Sequence, residues 1–309
     1  MRITHGFNSL SQPQAVTIGN FDGLHVGHQA MLTRLQQIAR ARKLPTCVLS
    51  FEPHPREFFA PADAPARLSS LREKASRLEE LGIDRLHIYP FNRAFAALSA
   101  TDFVQQVLVD TLHARYVLVG DDFRYGAQRA GDFAQLANSA LALGFEADAL
   151  PTVELAGERA SSTAVRSALT AGDLAHAARL LGRPYSICGR VVQGDQLGRE
   201  LGYPTANIQL KLNRPPLSGI FVVTLSGIQG RVLPGVASLG VRPTVKSAGA
   251  APVLEVHLFD FDADIYGQRV RVDFLHKLRD EAKYPDLPSL VAQIGRDVED
   301  AKHYLAHHT

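Results

Sequence analysis

Cysteine, net charge and long hydrophobic runs are all scarce in this chain of 309 residues. Its two cysteines, Cys47 and Cys188, lie far apart in strand-like runs, and the sequence has no C-x-x-C pattern and no metal cluster of cysteine and histidine. We expect free, buried thiols, which favour a reducing cytoplasm. A formal net charge of +2 gives no argument for nucleic acid or an anionic membrane as a partner. No apolar stretch approaches the roughly 20 residues of a spanning helix, and residues 1–6 lack the apolar core of a secretion signal.

Up to Arg183 the chain alternates strand-like and helix-like patterns. The segments with strand character are 15–18, 46–51, 85–89, 116–119 and 145–150. The segments with helical periodicity are 27–42, 71–81, 101–112 and 133–143. The alternation predicts an α/β domain with a Rossmann-like parallel sheet over residues 1–183. Ligands of such sheets bind beyond the carboxyl ends of the strands.

After the breaker segment 182–184 the pattern changes, because strand-like runs follow one another without intervening helices. These runs are 186–192, 220–225, 232–238, 253–259 and 270–275. An apolar stripe then marks a final helix over 287–305. The pattern predicts a second domain, 184–309, built as an antiparallel barrel or sandwich with a C-terminal helix. Two domains also suit the length of the chain.

The loop after the first predicted strand is typical of a phosphate site. It ends an apolar run and reads Gly19-Asn20-Phe21-Asp22-Gly23. His25 and His28 follow where helical periodicity begins, and positions three apart on a helix share a face. Backbone N–H groups and the dipole at a helix N-terminus favour an anion, and two imidazoles there can stabilise charge on a phosphate in transfer. A glycine-rich turn followed by two surface histidines is the simpler interpretation.

Several motifs in order carry a resemblance to a known family. In the first domain they are the loop 19–23 with His25-x-Gly-His28, then 51–55 (F-E-P-H-P), 119–126 (V-G-D-D-F-R-Y-G) and 161–166 (S-S-T-A-V-R). In the second they are 194–202, 204–207 (P-T-A-N), 240–244 (G-V-R-P-T) and 255–261 (E-V-H-L-F-D-F). Over essentially its whole length the chain resembles the prokaryotic bifunctional riboflavin kinase/FAD synthetases. The resemblance implies the nucleotidyltransferase type of Rossmann-like fold for the first domain, 1–183. For the second, 184–309, it implies an antiparallel Greek-key β-barrel with a C-terminal helix.

For the first domain the resemblance implies adenylyl transfer from ATP to FMN with release of pyrophosphate. His25 and His28 would neutralise phosphate charge as the α-phosphate is attacked, and Arg166 would bind the leaving pyrophosphate. The nucleotide-binding residues that it implies are Gly19, Asn20, Phe21, Asp22, Gly23, Asp122, Ser161, Ser162 and Thr163. The flavin-binding residues that it implies here are His54, Pro55 and Arg129.

For the second domain the resemblance implies phosphorylation of riboflavin by ATP. Glu255 would accept the proton of the 5′-hydroxyl, and strand alternation places it on the same face as His257. Thr205 and Asn207 offer oxygen ligands suited to Mg²⁺ bound with ATP. The remaining implied residues are Gly194, Gly198, Arg199 and Gly202 for nucleotide, and Arg279 and Glu281 as part of a flap over the flavin.

Simpler interpretations of single residues stay open at this point. The serine cluster 161–163 also fits a helix N-cap. Asp122 fits a solvated loop carboxylate, and His54, between two prolines, fits a surface histidine of a rigid loop. Arg279 and Glu281 fit a surface charge cluster.

Two other functions also remain as alternatives. One is a nucleotidyltransferase for a different acceptor, against which the second-domain motifs argue, and the other is a flavin-binding carrier that has lost catalysis. The expected partners are ATP, riboflavin and FMN, with flavins as substrates and products. The sequence leaves assembly into homo-oligomers open.

Overall fold

The computed structural model describes residues 1–194, 197–212, 214–241 and 252–308. By its internal contacts the chain forms two compact units. The first contains Met1–Pro65 and Leu71–Ser161, and the second contains Ala66–Ser70 and the chain from Ser162 onward.

A parallel sheet is the centre of the first unit. Its strands are β1 Arg2–His5, β2 Gln14–Ile18, β3 Thr46–Glu52, β4 Arg85–Pro90, β5 Ala114–Gly120 and β6 Glu146–Leu150. They lie side by side in the order β1-β4-β3-β2-β5-β6, and every neighbouring pair is parallel. The predicted α/β class is confirmed, and β1 is an additional edge strand. A small antiparallel hairpin follows, with strands β7 Glu154–Leu155 and β8 Glu158–Arg159.

Helices connect the strands of this sheet. They are α1 Val26–Arg42, α2 Pro55–Phe59, α3 Leu71–Glu80, α4 Arg93–Ala96, α5 Ala100–Asp102 and α6 Phe133–Leu143. The segment predicted as one helix over 101–112 differs, because α5 continues as a π-helix from Phe103 to Thr111. The Thr111 hydroxyl donates to the carbonyl of Gln106, five residues earlier, at 2.7 Å, which suits the wider turn.

The strands alternate their side chains between two apolar layers, as buried parallel strands do. Val16 and Ile18 of β2 pack into a core with the π-helix and α6, whereas Ala15 packs with α1 on the other side. Val48 of β3 packs with residues of α1 and α3, including Leu78. Packed helices therefore cover both faces of the sheet.

The second unit contains a closed antiparallel barrel. Its strands are β9 Tyr185–Val192, β10 Ala206–Gln209, β11 Gly219–Ile228, β12 Arg231–Val241, β13 Pro252–Leu258 and β14 Arg269–Arg279. They close in the order β10-β13-β12-β11-β14-β9. Because β10 pairs with β13 instead of β11, the connection crosses in the Greek-key manner, as predicted.

The helices of the second unit are α7 Ser162–Ala171, α8 Leu174–Leu181, α9 Leu197–Glu200 and α10 Leu287–His308. Val298 and Ala301 of α10 pack on Val222 and Val236 of the barrel. By contacts α7 and α8 also belong to this unit, and α8 packs on β9 and β14. The sequence-based boundary at Arg183 therefore lies inside the second unit as contacts define it.

No helix in the described ranges combines the length and the apolar character needed to cross a membrane.

Candidate active sites

The first candidate site is the loop between β2 and α1. Phe21 and Leu24 adopt left-handed backbone conformations, each with φ of 48°, while their side chains are only 1% exposed. Non-glycine residues adopt this conformation rarely, so burial of the two side chains holds the loop in place. The loop lies at the carboxyl end of β2, where ligands bind in parallel sheets.

His25 and His28 lie together at the start of α1. His25 is the N-cap residue, and its Nδ1 accepts a hydrogen bond from the His28 backbone N–H at 3.4 Å. The two rings stack with centroids 3.6 Å apart. Gly27 permits this arrangement, because a Cβ there would lie 3.1 Å from His25 Nδ1 and 3.3 Å from the carbonyl oxygen of Ala160. The first turn of α1 has no acidic residue that would repel an anion.

Two buried polar atoms in this region lack partners within the part of the chain that the structure describes. They are Nδ1 of His28 and Oδ1 of Asn20. Burial lowers the pKa of His28 well below its ordinary value, and charges on His25 and Lys74 lower that pKa further. His28 is thus a neutral imidazole with an unused ring nitrogen in an electropositive setting.

A cluster of aromatic rings lies near the ends of β3, β4 and β5 in the same unit. Its members are Phe51, Phe58, Phe59, Phe91, Phe95, Phe103, Phe123 and Tyr125, which contact one another with centroid distances of 5.2–6.2 Å. Phe59 is 67% exposed, so this ring of the cluster is open to solvent. This cluster has no signature in the sequence, because its members come from several separate segments.

Of the implied flavin residues, His54 and Pro55 begin the helix that carries two of these rings. His54 is the N-cap of α2, accepting from the backbone N–H of Arg56 at 3.1 Å, and Glu57 completes a capping box. Arg129 is exposed at the end of a 3₁₀ turn, Ala127–Arg129. That turn follows Tyr125, whose backbone bridges to Gly131.

Asp122 forms an ion pair in the structure. Its Oδ2 lies 2.5 Å from Nη2 of Arg159 in β8. The neighbouring Asp121 accepts from the backbone N–H of Thr152 at 2.9 Å, and this contact lowers the pKa of Asp121. Both carboxylates therefore bind the segment that follows β6, Asp121 at Thr152 and Asp122 at Arg159 of the hairpin.

The motif 161–166 crosses from one unit to the other. Ser161 ends the first unit, whereas Ser162, Thr163 and Arg166 lie in α7 of the second unit. Nε of Arg166 donates to the carbonyl of Ala66 at 2.6 Å, within that second unit. Their assignment to the leaving pyrophosphate stays a prediction.

The second candidate site is a cavity of about 380 Å³ in the second unit. It brings together most of the residues implied for the kinase domain, namely Gly198, Thr205, Asn207, Glu255, Arg279 and Glu281. Its wall also contains Tyr203, His257, Tyr284 and Asp297. Glu255 and His257 both face it, while Leu254, Val256 and Leu258 on the opposite face of β13 are buried.

Strand pairing explains why the polar residues meet. Asn207 of β10 lies directly opposite Glu255 of β13, and Glu255 also lies opposite Ser238 of β12. Two of the three implied glycines before β10 allow close approach, because a Cβ at Gly194 would collide with the Asn207 amide and one at Gly198 would lie 3.2 Å from Thr205 Oγ1. Gly202 has a left-handed φ of 85° that favours glycine.

Asp297 is a residue of this site that sequence reasoning missed. Its carboxylate receives two hydrogen bonds from Arg279, Nε at 2.8 Å and Nη2 at 2.6 Å, and a third from Gln293 at 2.9 Å. The side chain of Asp297 is 6% exposed and that of Arg279 is 24% exposed. This pairing raises the pKa of Arg279, whereas burial raises the pKa of the nearby Glu281. No sequence spacing links positions 279 and 297.

Some expected residues lie outside what the structure describes. The backbone of Arg199 lies in α9, but its side chain is outside the description, as are Asp195 and the motif residues Arg242, Pro243 and Thr244.

Two family models match this chain, one in its N-terminal half and one in its C-terminal half. A family model described as FAD synthetase matches residues 8–164, and one described as riboflavin kinase matches residues 181–305. The chain is 48% identical over 305 residues to the bifunctional riboflavin kinase/FMN adenylyltransferase of Pseudomonas fluorescens, covering 98% of this chain and 97% of that protein. It is 46% identical over 308 residues to the protein of the same description from Escherichia coli strain K12, covering 98% of each.

A solved structure from Streptococcus pneumoniae, described as a macrolide-efflux protein, matches with a TM-score of 0.83 and 29% identity over 99% of both chains. The chain matches an FAD synthetase domain followed by a riboflavin kinase domain. This pair of domains argues against the two alternatives, a nucleotidyltransferase for another acceptor and a non-catalytic flavin carrier. The protein phosphorylates riboflavin to FMN and adenylylates FMN to FAD, with ATP, riboflavin and FMN as its small-molecule substrates. The chain belongs to the bifunctional riboflavin kinase/FMN adenylyltransferases, with its FAD synthetase part N-terminal and its riboflavin kinase part C-terminal.

Proposed function

We propose that riboflavin phosphorylation takes place in the barrel cavity, with Glu255 as the general base. The observation that carries this assignment is the meeting of Glu255, Asn207 and Thr205 in one cavity of about 380 Å³. Phosphoryl transfer needs an acceptor for the hydroxyl proton, oxygen ligands for a metal and donors for the phosphate charge. Glu255 accepts the proton of the 5′-hydroxyl as that oxygen attacks the γ-phosphorus and ADP leaves. Arg279 and Glu281 bind the flavin from the flap.

The donor chemistry of the cavity fits Mg²⁺. The Thr205 hydroxyl and the Asn207 amide oxygen are hard neutral ligands beside one carboxylate, a set that leaves coordination positions for ATP oxygens. When bound, the ion neutralises charge on the transferring phosphoryl group. Gly194, Gly198, Arg199 and Gly202 complete the nucleotide site in this proposal. Gly194 lets the chain lie against Asn207, and Gly198 lets it lie against Thr205.

Adenylyl transfer is assigned to the loop before α1. A phosphate oxygen of FMN attacks the α-phosphorus of ATP, and the bond to the bridging oxygen breaks as pyrophosphate leaves. His25 and His28 supply donors at the helix N-terminus, and the pKa of His28, lowered by burial, supports a neutral imidazole that donates one N–H. The aromatic cluster that includes Phe59 offers ring faces for the isoalloxazine.

The remaining assignments are proposals on the same basis. We assign the two activities to residues 1–183 and 184–309, with Asp122, Ser161, Ser162, Thr163 and Arg166 as nucleotide ligands of the first. The free cysteines, Cys47 and Cys188, support a cytoplasmic location.

A complementation experiment tests the two-site assignment. The full chain is prepared as His28→Ala and as Glu255→Gln, and each is incubated with riboflavin, ATP and Mg²⁺. The first variant should accumulate FMN, and the second should leave riboflavin unchanged while still converting supplied FMN to FAD. A mixture of both should make FAD from riboflavin, because FMN released by one variant serves the other.

The matched controls are His303→Ala and Glu299→Gln, which change exposed residues of α10. Both should behave as the unaltered protein. If the folded His28→Ala and Glu255→Gln proteins each lose both activities, or if the mixture makes no FAD, the two-site assignment is wrong.

A further inference from the structure

His257 lines the barrel cavity beside Glu255 and makes a hydrogen bond of its own. Its Nδ1 lies 2.9 Å from the backbone carbonyl oxygen of Pro204. Because a carbonyl oxygen only accepts, the ring must carry a proton on Nδ1. Pro204 directly precedes Thr205, to which we assign a role as metal ligand. The histidine therefore binds the backbone next to that ligand.

Strand register explains why this contact falls at Thr205. β10 begins at Ala206, which lies opposite Val256 of β13. Thr205 lies before the first paired residue, so the ladder by itself does not fix it. Continuing the antiparallel register by one residue places His257 beside Thr205. The side chain of His257 thus provides a hydrogen bond at the point where the strand pairing ends.

Aromatic neighbours hold the ring of His257 in place. Its centroid lies 5.5 Å from that of Tyr203 and 5.9 Å from that of Phe259, and both contacts are edge-to-face. Phe259 is buried and packs in one apolar cluster with residues of α10. A donor on such a ring keeps its direction, so the carbonyl that it binds is held at a fixed place.

Thr205 consequently lies between neighbours that are fixed on either side. The backbone N–H of Tyr203 donates to a carbonyl of α9 at 2.7 Å. Pro204 is held by His257, and Ala206 belongs to the ladder. The Thr205 hydroxyl is therefore presented to the cavity before any ion binds, and a metal site depends on groups that orient its ligands in this way.

We propose that His257 is a positioning residue for riboflavin phosphorylation, which holds Thr205 in place for Mg²⁺ through the Pro204 carbonyl. The proposal rests on the assignment of Thr205 as a ligand of that ion. In this role His257 takes no proton, because the proton of the riboflavin hydroxyl passes to Glu255 as the γ-phosphorus leaves ADP.

Three substitutions separate the Nδ1 donor from the rest of the ring. His257→Asn places an amide N–H near the position of Nδ1, His257→Gln places one near that of Nε2, and His257→Leu has no donor. The kinase rate is measured as Mg²⁺ is varied at saturating ATP and riboflavin, and calorimetry measures how ADP binding depends on Mg²⁺ without turnover. The matched control is His276→Leu, which removes another barrel histidine, one that stacks on Tyr304 with centroids 4.7 Å apart.

We expect His257→Leu and His257→Gln to raise the Mg²⁺ concentration required for half-maximal rate and for ADP binding by about tenfold. At saturating Mg²⁺ their kcat and their KM for riboflavin should stay within about threefold of the unaltered protein, since the base and the flavin contacts remain. His257→Asn should recover most of the loss, and His276→Leu should match the unaltered protein. An unchanged Mg²⁺ requirement in His257→Leu, or recovery by His257→Gln but not by His257→Asn, overturns the proposal.

Nitrogen NMR of the unaltered protein tests the hydrogen bond without any metal, and it keeps the proposal testable if His257→Leu fails to fold. In alkaline buffer the ring of His257 should carry its proton on Nδ1, and a proton on Nε2 instead refutes the contact with Pro204.

Thr205→Ala, assayed in parallel, separates this proposal from the assignment of the metal ligands. If Thr205→Ala leaves the Mg²⁺ requirement unchanged, the ligands are wrongly placed and the role of His257 falls with them. An effect of Thr205→Ala alone refutes only the role of His257. In the double variant of His257→Leu and Thr205→Ala the two effects should not add, because one residue acts through the other, and full additivity contradicts this.

Discussion

The Arg279–Asp297 pair gives a prediction whose size follows from its geometry. Replacing Asp297 by Asn keeps the shape and one acceptor oxygen but removes the charge that receives both hydrogen bonds from Arg279. Exposed ion pairs contribute about 0–1 kcal/mol, whereas removing one partner of a buried pair costs about 3–5 kcal/mol. With Asp297 6% and Arg279 24% exposed, this pair lies nearer the buried case. We expect Asp297→Asn to lower the free energy of unfolding by about 2–3 kcal/mol.

The assay is thermal unfolding of the full chain, followed by riboflavin kinase kinetics at a temperature where the variant is folded. A loss of that size lowers Tm by about 4–12 °C in a domain of ordinary size. Because Arg279 and Asp297 both line the cavity, KM for riboflavin should rise about tenfold, the change expected when about 1.4 kcal/mol of binding is lost. Adenylylation of supplied FMN should be unchanged.

Asp300→Asn is the matched control, since it neutralises an exposed carboxylate on the same helix. A double-mutant cycle with Arg279→Gln should give a coupling energy of about 1.5–3 kcal/mol. If Asp297→Asn has the same Tm as Asp300→Asn and an unchanged KM for riboflavin, the Arg279–Asp297 pair stabilises neither the domain nor the flavin site, and the prediction is refuted.

Four further outcomes follow from the structure. Glu255→Gln should lower the kinase rate by about 10²–10⁴-fold, with little change in flavin affinity, and a steady-state rate within a few-fold of normal would remove Glu255 as the base. Thr205→Ala should raise the Mg²⁺ concentration that gives half-maximal kinase rate at saturating ATP; an unaltered Mg²⁺ titration would contradict its role as a ligand. Burial lowers the pKa of both His28 and His87 in the folded state, so on acidification the unfolded chain takes up protons first. The free energy of unfolding should therefore fall as the pH drops below about 6.5. Urea unfolding at pH 7.5 and 5.5 measures this, and equal stability at the two pH values contradicts it. A fragment from Ser162 should phosphorylate riboflavin and be more stable than one from Pro184, because α8 packs on β9 and β14; equal melting temperatures would show that α7 and α8 contribute nothing to the barrel.

The fold class could be predicted from the sequence because it depends on local patterns. Apolar residues at helical spacing indicate a helix that buries one side, and alternating apolar residues indicate a strand that buries one face. The order of these segments along the chain predicted the parallel sheet and the antiparallel second domain. Strand alternation also predicted that Glu255 and His257 share a face, and in β13 both line the cavity. His25 and His28 were recognisable for the same reason, since they stand at the N-terminus of one helix.

Tertiary structure alone decided which distant residues meet. Lys74 occupies an apolar position of α3, and only the packing of α3 against β3 brings its ammonium to Ser50 and the loop at Asn20. Asp297 meets Arg279 because α10 packs across the barrel. Neither pair leaves a periodic signal, because each depends on how one element packs against another and not on the spacing within a single element. The sequence by itself thus determined the fold class and most of the longer elements, with the chemistry at their ends, and packing determined the partners that hold those groups in place.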